Sequence, residues 1–284
     1  MPTIVTDDGT RVAFEQHGDA SGTDVVLVAG FRTPGTSWRF QVPALVEAGH
    51  GVTVVDVRGH GAADAATAGT TMATRADDLE AVLRQLDITD AVLVGGSMGA
   101  STIWAYVAAH GDDRVRAVVS VDQTPRMLND DPPVPGRPAR GRGEQAPWEH
   151  GFYGYTARNR ETLFARGVPP TGVGLPLWRR PRRVARVLRA MGAGGGSRDL
   201  SAADLRVLHD HATADWRPVI ARFTKPVLFI AGAESEFWPS AHAAAAAALA
   251  PQGSSAVLLR AGHATNLEQW RAFNEGLLAF LEQL

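Results

Sequence analysis

The apolar residues of this chain fall into short, almost unbroken runs, separated by longer stretches with a helical repeat. Residues 25–29 and 52–57 are mostly aliphatic or β-branched, which is typical of strands covered on both faces in a parallel sheet. Two alternating runs near the start flank Asp8-Gly9 and predict an antiparallel hairpin. The strands predicted in this way are 3–6, 11–16, 25–29, 52–57, 91–94, 115–121, 226–230 and 256–259.

Helical patterns occupy the intervals between several of these strands. They lie at about 38–47, 75–86 and 100–109. Strands that alternate with helices predict an α/β fold, with a mostly parallel, doubly wound sheet behind an antiparallel start.

This alternation breaks between about Gln123 and Ala214. The stretch is rich in Pro and Gly and contains a basic run at 179–183, yet helical periodicity returns at 161–164 and 202–211. We interpret residues 126–214 as a helical lid inserted into a core formed by 1–125 and 215–284; a long loop region is the alternative. The large aromatic residues of the insert include Trp148, Phe152, Tyr153, Tyr155 and Trp178.

Composition narrows the class of protein. The 284 residues carry a formal net charge of −2, so nothing favours a nucleic-acid partner. No apolar run approaches the roughly 18 residues of a membrane span, and the N-terminus lacks a basic region followed by an apolar one. We therefore expect no membrane association and a cytoplasmic location. The absence of cysteine excludes disulfides, thiolate catalysis and cysteine metal sites.

The most informative motif is G-x-S-x-G at residues 95–99. It follows a predicted strand directly and precedes a predicted helix, the context of a nucleophile elbow. The tight turn exposes the hydroxyl of Ser97 beside a helix N-terminus, where backbone N–H groups favour developing negative charge. Such a serine needs a base, an orienting carboxylate and oxyanion donors. Among nine histidines, His263 stands in the loop after the last predicted strand.

The segment around His263 resembles the α/β-hydrolase-fold superfamily, in its branch of serine esterases, lactonases and perhydrolases. The similarity lies in Gly262-His263, Glu268-Gln269 and Phe273-Asn274, with Trp270 where a proline is usual, and in the loop 56–61. The resemblance implies the order serine, acid, histidine, and hence His263 as the base. It also implies a structural role for loop 56–61, in which Arg58 braces the neighbouring oxyanion loop.

The resemblance points to the loop after strand 226–230 for the acid. Ser235 occupies the position where aspartate is commonest in the family. Glu236 matches a second form of the loop motif, in which the acid stands one residue later, with Glu in place of Asp. We therefore select Glu236 and keep Glu234 and Asp122 as alternatives. Asp122 directly follows strand 115–121, a position from which some relatives draw the acid, although it could instead cap a turn.

The oxyanion donors implied by the resemblance are the backbone N–H groups of Met98 and Phe31. For the substrate pocket we expect lid aromatics above Ser97, because exposing them all would leave an unusually large apolar patch. The residues selected for that pocket are Trp148, Phe152, Tyr153 and Trp178.

The resulting hypothesis is a serine hydrolase that cleaves a hydrophobic ester or lactone through Ser97, His263 and Glu236, without cofactor or metal. The expected partner is a small hydrophobic substrate. Three alternatives remain open: a carbon–carbon bond hydrolase, a cofactor-free perhydrolase, and a small-molecule sensor with slow turnover.

Overall fold

The predicted strands pair into one sheet in the computed structural model, which describes residues 1–19, 22–127, 201–235 and 237–284. All eight expected strands are present within two or three residues of their predicted limits. They are β1 Thr3–Val5, β2 Arg11–His17, β3 Asp24–Val28, β4 Gly51–Asp56, β5 Ala91–Gly96, β6 Val115–Val121, β7 Val227–Gly232 and β8 Gly253–Leu258.

The strand order in the sheet is β1-β2-β4-β3-β5-β6-β7-β8. The first two strands are antiparallel to each other, and β2 is antiparallel to β4. All pairings from β4 to β8 are parallel, so the prediction of a mostly parallel sheet with an antiparallel start is confirmed. The carboxyl ends of β3, β5, β6, β7 and β8 meet at one edge, where parallel α/β sheets place their ligands.

The described helices cover both faces of this sheet. They are a 3-10 turn at Gly35–Trp38, then α1 Gln41–Glu47, α2 Met72–Gln85, α3 Met98–His110, α4 Ala202–Thr213, α5 Arg217–Arg222, α6 Ala241–Ala247, α7 Thr265–Glu268 and α8 Trp270–Leu281. One apolar core joins the sheet to α2, α3, α5 and α6, and a second joins its other face to α1 and α8. None of the helices in these ranges is long and apolar enough to cross a bilayer.

Helix α2 begins three residues earlier than predicted because Thr71 caps it. The hydroxyl of Thr71 accepts from Thr74 N–H, and the hydroxyl of Thr74 accepts from Thr71 N–H. This reciprocal pair satisfies two of the amides that a helix N-terminus otherwise leaves open. A second side chain, Asp210 of α4, accepts from Met72 N–H at 2.6 Å and so fixes α4 against the start of α2.

The chain leaves β6 and returns to α5 at neighbouring positions. Arg126 and Asp215 form an antiparallel bridge, and Trp216 N–H donates to the carbonyl of Pro125. The helix expected at 202–211 is present as α4. The rest of the expected lid, with its aromatic residues and the helical pattern at 161–164, lies outside the described residues, so the division at 125/126 and 214/215 stays a prediction.

A buried ion cluster ties the loop after β4 to α2. The guanidinium of Arg58 pairs with Asp78, whose side chain has no solvent exposure, at 2.6 Å. It also reaches the half-exposed Asp8 at 2.7 Å. The guanidinium is therefore committed to these two carboxylates, and the expectation that it braces the oxyanion loop is wrong.

We expect Arg58→Met to destabilise the fold strongly, because it leaves the buried carboxylate of Asp78 without its cation. Loss of one partner of a buried pair costs about 3–5 kcal/mol, measured as a lower urea midpoint at constant slope. The control is Arg84→Met, since Arg84 pairs with Asp7 on the surface and exposed pairs contribute little. Equal losses in the two variants would contradict this assignment.

Candidate active site

The nucleophile elbow expected at 95–99 is present. Strand β5 ends at Gly96, α3 begins at Met98, and Ser97 joins them with φ 52° and ψ −123°. This conformation is strained for any residue with a side chain. The turn is tight because Gly99 lies against the carbonyls of Val28 and Ala29, where a Cβ would clash with backbone.

The loop after β3 lies directly against this serine. A Cβ at Gly30 would stand 3.2 Å from both Ser97 Cβ and the carbonyl oxygen of Gly96. Only glycine allows the loop this close without displacing the nucleophile. The backbone of Gly30 and Phe31 therefore borders Ser97, as the oxyanion assignment of Phe31 requires, while Met98 opens α3 on the other side.

His60 holds the end of this loop. Arg32 N–H donates to His60 Nε2 at 2.9 Å, and His60 Nδ1 lies 3.0 Å from the carbonyl oxygen of Arg58. Burial, together with the nearby cation of Arg75, lowers the pKa of His60 to about 3. His60 Nδ1 also lies 3.0 Å from Nη1 of Arg75, so this nitrogen contacts both a carbonyl acceptor and a guanidinium donor. The brace of this loop is thus an imidazole, a role that the sequence analysis did not assign to His60.

His263 and Asp122 form the strongest polar contact of the site. His263 Nδ1 lies 2.6 Å from Asp122 Oδ2, and the carboxylate has no solvent exposure. Asp122 Oδ1 accepts from Gly232 N–H at 2.8 Å, and Oδ2 also accepts from the hydroxyl of Ser235 at 2.6 Å. Burial raises the pKa of Asp122, but the histidines that face it, His242 and His263, hold the pKa well below its usual range.

This contact changes the choice of acid. We selected Glu236, which lies outside the described residues, and kept Asp122 as an alternative. The structure places Asp122 on Nδ1 of His263, the atom that an orienting carboxylate must contact. Ser235, at the position where aspartate was expected, is a hydrogen-bond donor to that same carboxylate. Glu234 is half-buried, and its N–H donates to the carbonyl of Ala261.

Ser97 and Asp122 are held to each other through the sheet. Ser97 N–H donates to the carbonyl of Val121 at 2.9 Å, and Asp122 N–H donates to the carbonyl of Ile230 at 2.6 Å. Ser97 directly follows β5, Asp122 directly follows β6, and His263 lies in the loop after β8. These three residues therefore lie at the same carboxyl edge of the sheet.

A buried amide network anchors the segment after His263. Gln41 donates to the carbonyl of Asn266 and to Asn274 Oδ1. Asn266 donates to the carbonyl of Ser37, and Asn274 donates to that of Phe40. The Phe-Asn pair noted in the sequence thus has a structural role, since it fastens α7 and α8 to the 3-10 turn and α1.

Among the described residues, His263 has an aromatic contact with Phe237, which is not one of the residues expected to form the pocket. The ring of Phe237 lies 4.4 Å from the imidazole, in an edge-to-face arrangement, and is more than one-third exposed. Trp238 follows it and is buried with Met127 and Ala212. The four residues expected to form the pocket, Trp148, Phe152, Tyr153 and Trp178, lie outside the described residues.

Comparison with known proteins decides the family. A family model described as the alpha/beta hydrolase fold matches residues 25–269. The chain belongs to this family. The resemblance inferred from the motifs around Ser97 and His263 is therefore confirmed at the level of the fold.

Individual α/β hydrolases resemble parts or all of this chain. It is 35% identical over 128 residues to a non-heme chloroperoxidase of Kitasatospora aureofaciens, which covers 45% of this chain and 46% of that protein. The chain spans about half the length of the curated relatives it matches first.

Two solved α/β-hydrolase structures match over nearly the whole chain. The bromoperoxidase of Bacillus anthracis gives a TM-score of 0.72 at 24% identity and covers 99% of this chain and 98% of that one. The enol-lactonase of Burkholderia xenovorans gives 0.73 at 21% identity and covers 99% and 100%. At these identities the likeness shows the fold alone.

The strain at the elbow predicts different stabilities for two small substitutions of Ser97. Ser97→Gly removes a backbone strain of about 1–3 kcal/mol and adds a glycine entropy cost of about 0.5–1 kcal/mol, whereas Ser97→Ala keeps the strain. We expect the glycine variant to exceed the alanine variant by about 1 kcal/mol in free energy of unfolding, measured by urea denaturation. A glycine variant less stable than the alanine variant by about 0.5–1 kcal/mol, the entropy cost alone, would show that no strain resides at this turn.

Proposed function

We propose that this protein is a serine hydrolase that cleaves carboxylic esters or lactones with Ser97, His263 and Asp122 as its triad. The observation that carries the proposal is the 2.6 Å contact between His263 Nδ1 and the buried carboxylate of Asp122. It stands at the sheet edge that also presents the strained elbow of Ser97. A contact between a histidine and a buried carboxylate at the carboxyl edge of a sheet is typical of triads.

In this mechanism the carboxylate fixes one tautomer of the imidazole. Asp122 accepts a hydrogen bond from the Nδ1–H group of His263. This leaves Nε2 of His263 unprotonated and able to act as the base for the Ser97 hydroxyl. The Ser97 oxygen bonds to the substrate carbonyl carbon while its proton passes to Nε2. That proton then protonates the leaving alkoxide as the ester C–O bond breaks, giving an acyl-enzyme. Water repeats the sequence, and releases the acid and free Ser97.

The developing oxyanion is assigned to the N–H groups of Met98 and Phe31. Met98 is the first residue of α3, so the helix dipole adds to its donor. Phe31 belongs to the loop that touches Ser97 and is held through Arg32 by His60. Donors of this kind contribute roughly 3–4 kcal/mol to lowering the barrier.

We assign the acid to Asp122 rather than Glu236. Nδ1 of His263 can donate a single hydrogen bond, and Asp122 already accepts it. The three donors on Asp122, namely His263, Ser235 and the amide of Gly232, also keep it ionised, so it can stabilise the protonated imidazole.

The proposed substrates are hydrophobic. Phe237 places an exposed aromatic ring against His263, and the insert carries six further large aromatics in its sequence. Solved structures similar to this chain include an esterase of Exiguobacterium antarcticum and the enol-lactonase named above. Both names describe acyl-oxygen cleavage, the reaction that the proposed triad performs.

A second candidate function is perhydrolysis. It is favoured by the curated relatives, several of which are named non-heme chloroperoxidases. In this reaction hydrogen peroxide replaces water and attacks the acyl-enzyme. The products are a peracid and free Ser97, and no other co-reactant is needed.

The proposal predicts that Ser97 is the only serine that a fluorophosphonate labels, as located by peptide mass spectrometry. Ser97→Ala should lose both the label and turnover of p-nitrophenyl esters, and the wild-type rate should rise with acyl length from acetate toward longer chains. Ser101→Ala is the matched control, because Ser101 is buried one turn further along α3. Labelling elsewhere, or turnover retained in Ser97→Ala, would end the proposal.

The acid assignment predicts that Asp122→Asn lowers kcat by about 10⁴-fold, since the amide favours the wrong imidazole tautomer. Glu236→Gln and Glu234→Gln should keep most of the activity. Ser235 and His263 both hydrogen-bond to Oδ2 of Asp122, so a carboxylate at position 235 stands near His263. Adding Ser235→Asp to Asp122→Asn should therefore restore part of the lost rate. Ser235→Asn in the same background is the control and should restore none. If Glu236→Gln loses most of its activity while Asp122→Asn stays active, the acid is Glu236 and the assignment to Asp122 is wrong.

A further inference from the structure

A second histidine faces the carboxylate of Asp122 from helix α6. His242 Nε2 lies 3.6 Å from Asp122 Oδ1, and both side chains are almost completely buried. Neither ring nitrogen of His242 has a hydrogen-bond partner in the part of the chain that the structure describes. Asp122 is therefore the polar group that His242 confronts.

Packing alone does not account for this imidazole. The other six residues of α6 are alanine, the residue that a helix accepts at least cost. A buried imidazole without a partner costs free energy in either protonation state. At 3.6 Å the contact is longer than a hydrogen bond, but it brings a ring nitrogen that can carry a proton up to a full negative charge.

We propose that His242 is a positioning residue that balances the charge of Asp122 and thereby sets the pH at which His263 loses its proton. This rests on the triad of the proposed function. A cation or N–H donor on the carboxylate weakens the hold of Asp122 on the protonated form of His263. His263 is then the free base at lower pH than it would be beside an unshared carboxylate.

Few other charges face this pair among the described residues. Helix α6 packs on β7 and β8, and neither strand contains a titratable side chain. Glu234 lies in the loop after β7. On the side of His263, burial and the nearby Arg75 and His263 lower the pKa of His211 to about 3, so His211 stays neutral. The other groups on the carboxylate are the hydroxyl of Ser235 and the amide of Gly232, which do not titrate.

The test compares His242→Leu with His242→Gln. In His242→Leu the acid limb of kcat/KM should move to higher pH by about 1 unit, because no second imidazole then shares the charge of Asp122 with His263. His242→Gln keeps an N–H donor and should shift less. The control is His110→Gln, which removes an imidazole from a carboxylate, Asp77, at the far end of α3; it should leave the profile unchanged.

A readout without turnover separates this inference from the proposed function. The ¹⁵N signals of the His263 imidazole, followed by NMR against pH, should show the same upward shift of the midpoint. An inactive wild-type protein would defeat the hydrolase but leave this titration readable. Equal midpoints in wild type and both His242 variants would overturn the inference. If His242→Leu does not fold, His242→Ala, which matches the other residues of α6, takes its place.

Discussion

The buried carboxylate of Asp122 is the group on which the geometry of the site depends. An ionised carboxylate without exposure is tolerated only where donors and cations replace its water. Here those groups come from the end of β7, from the loop after β8 and from α6. Because each belongs to a different element, satisfying the charge of Asp122 also fixes those elements relative to one another. The imidazole of His263 is held as a consequence of that requirement.

Backbone strain collects around the same edge of the sheet. The described non-glycine residues with positive φ include Arg32, Ser97 and Asp122, at 50°, 52° and 45°. Each is held by a specific bond: Arg32 N–H to His60, Ser97 N–H to Val121 and Asp122 N–H to Ile230. Strained conformations persist when their surroundings over-determine them. The strands thus supply the rigidity that the elbow and the oxyanion loop need.

The sequence was a good guide wherever one local pattern determines the outcome. Strands such as β4 and β5 follow from unbroken apolar runs, and the elbow follows from glycines that a strand-to-helix turn requires. The acid could not be read in this way. Asp122, Glu234 and Glu236 all follow predicted strands, and the choice depends on which loop reaches His263, a long-range property. His60 was missed for the same reason, since its partner Arg32 is 28 positions away.

The histidines around the site divide by environment. Burial and the cation of Arg75 lower the pKa of both His60 and His211 to about 3, so these two rings serve as neutral polar groups across the working range of pH. Arg75 is itself fully buried, and burial lowers its pKa to about 10, so it keeps its charge. On the other side of the site, the anion of Asp122 faces His242 and His263. The fold thus keeps the neutral imidazole of His60, which holds the loop after β3, apart from the imidazole of His263, which is proposed to move a proton.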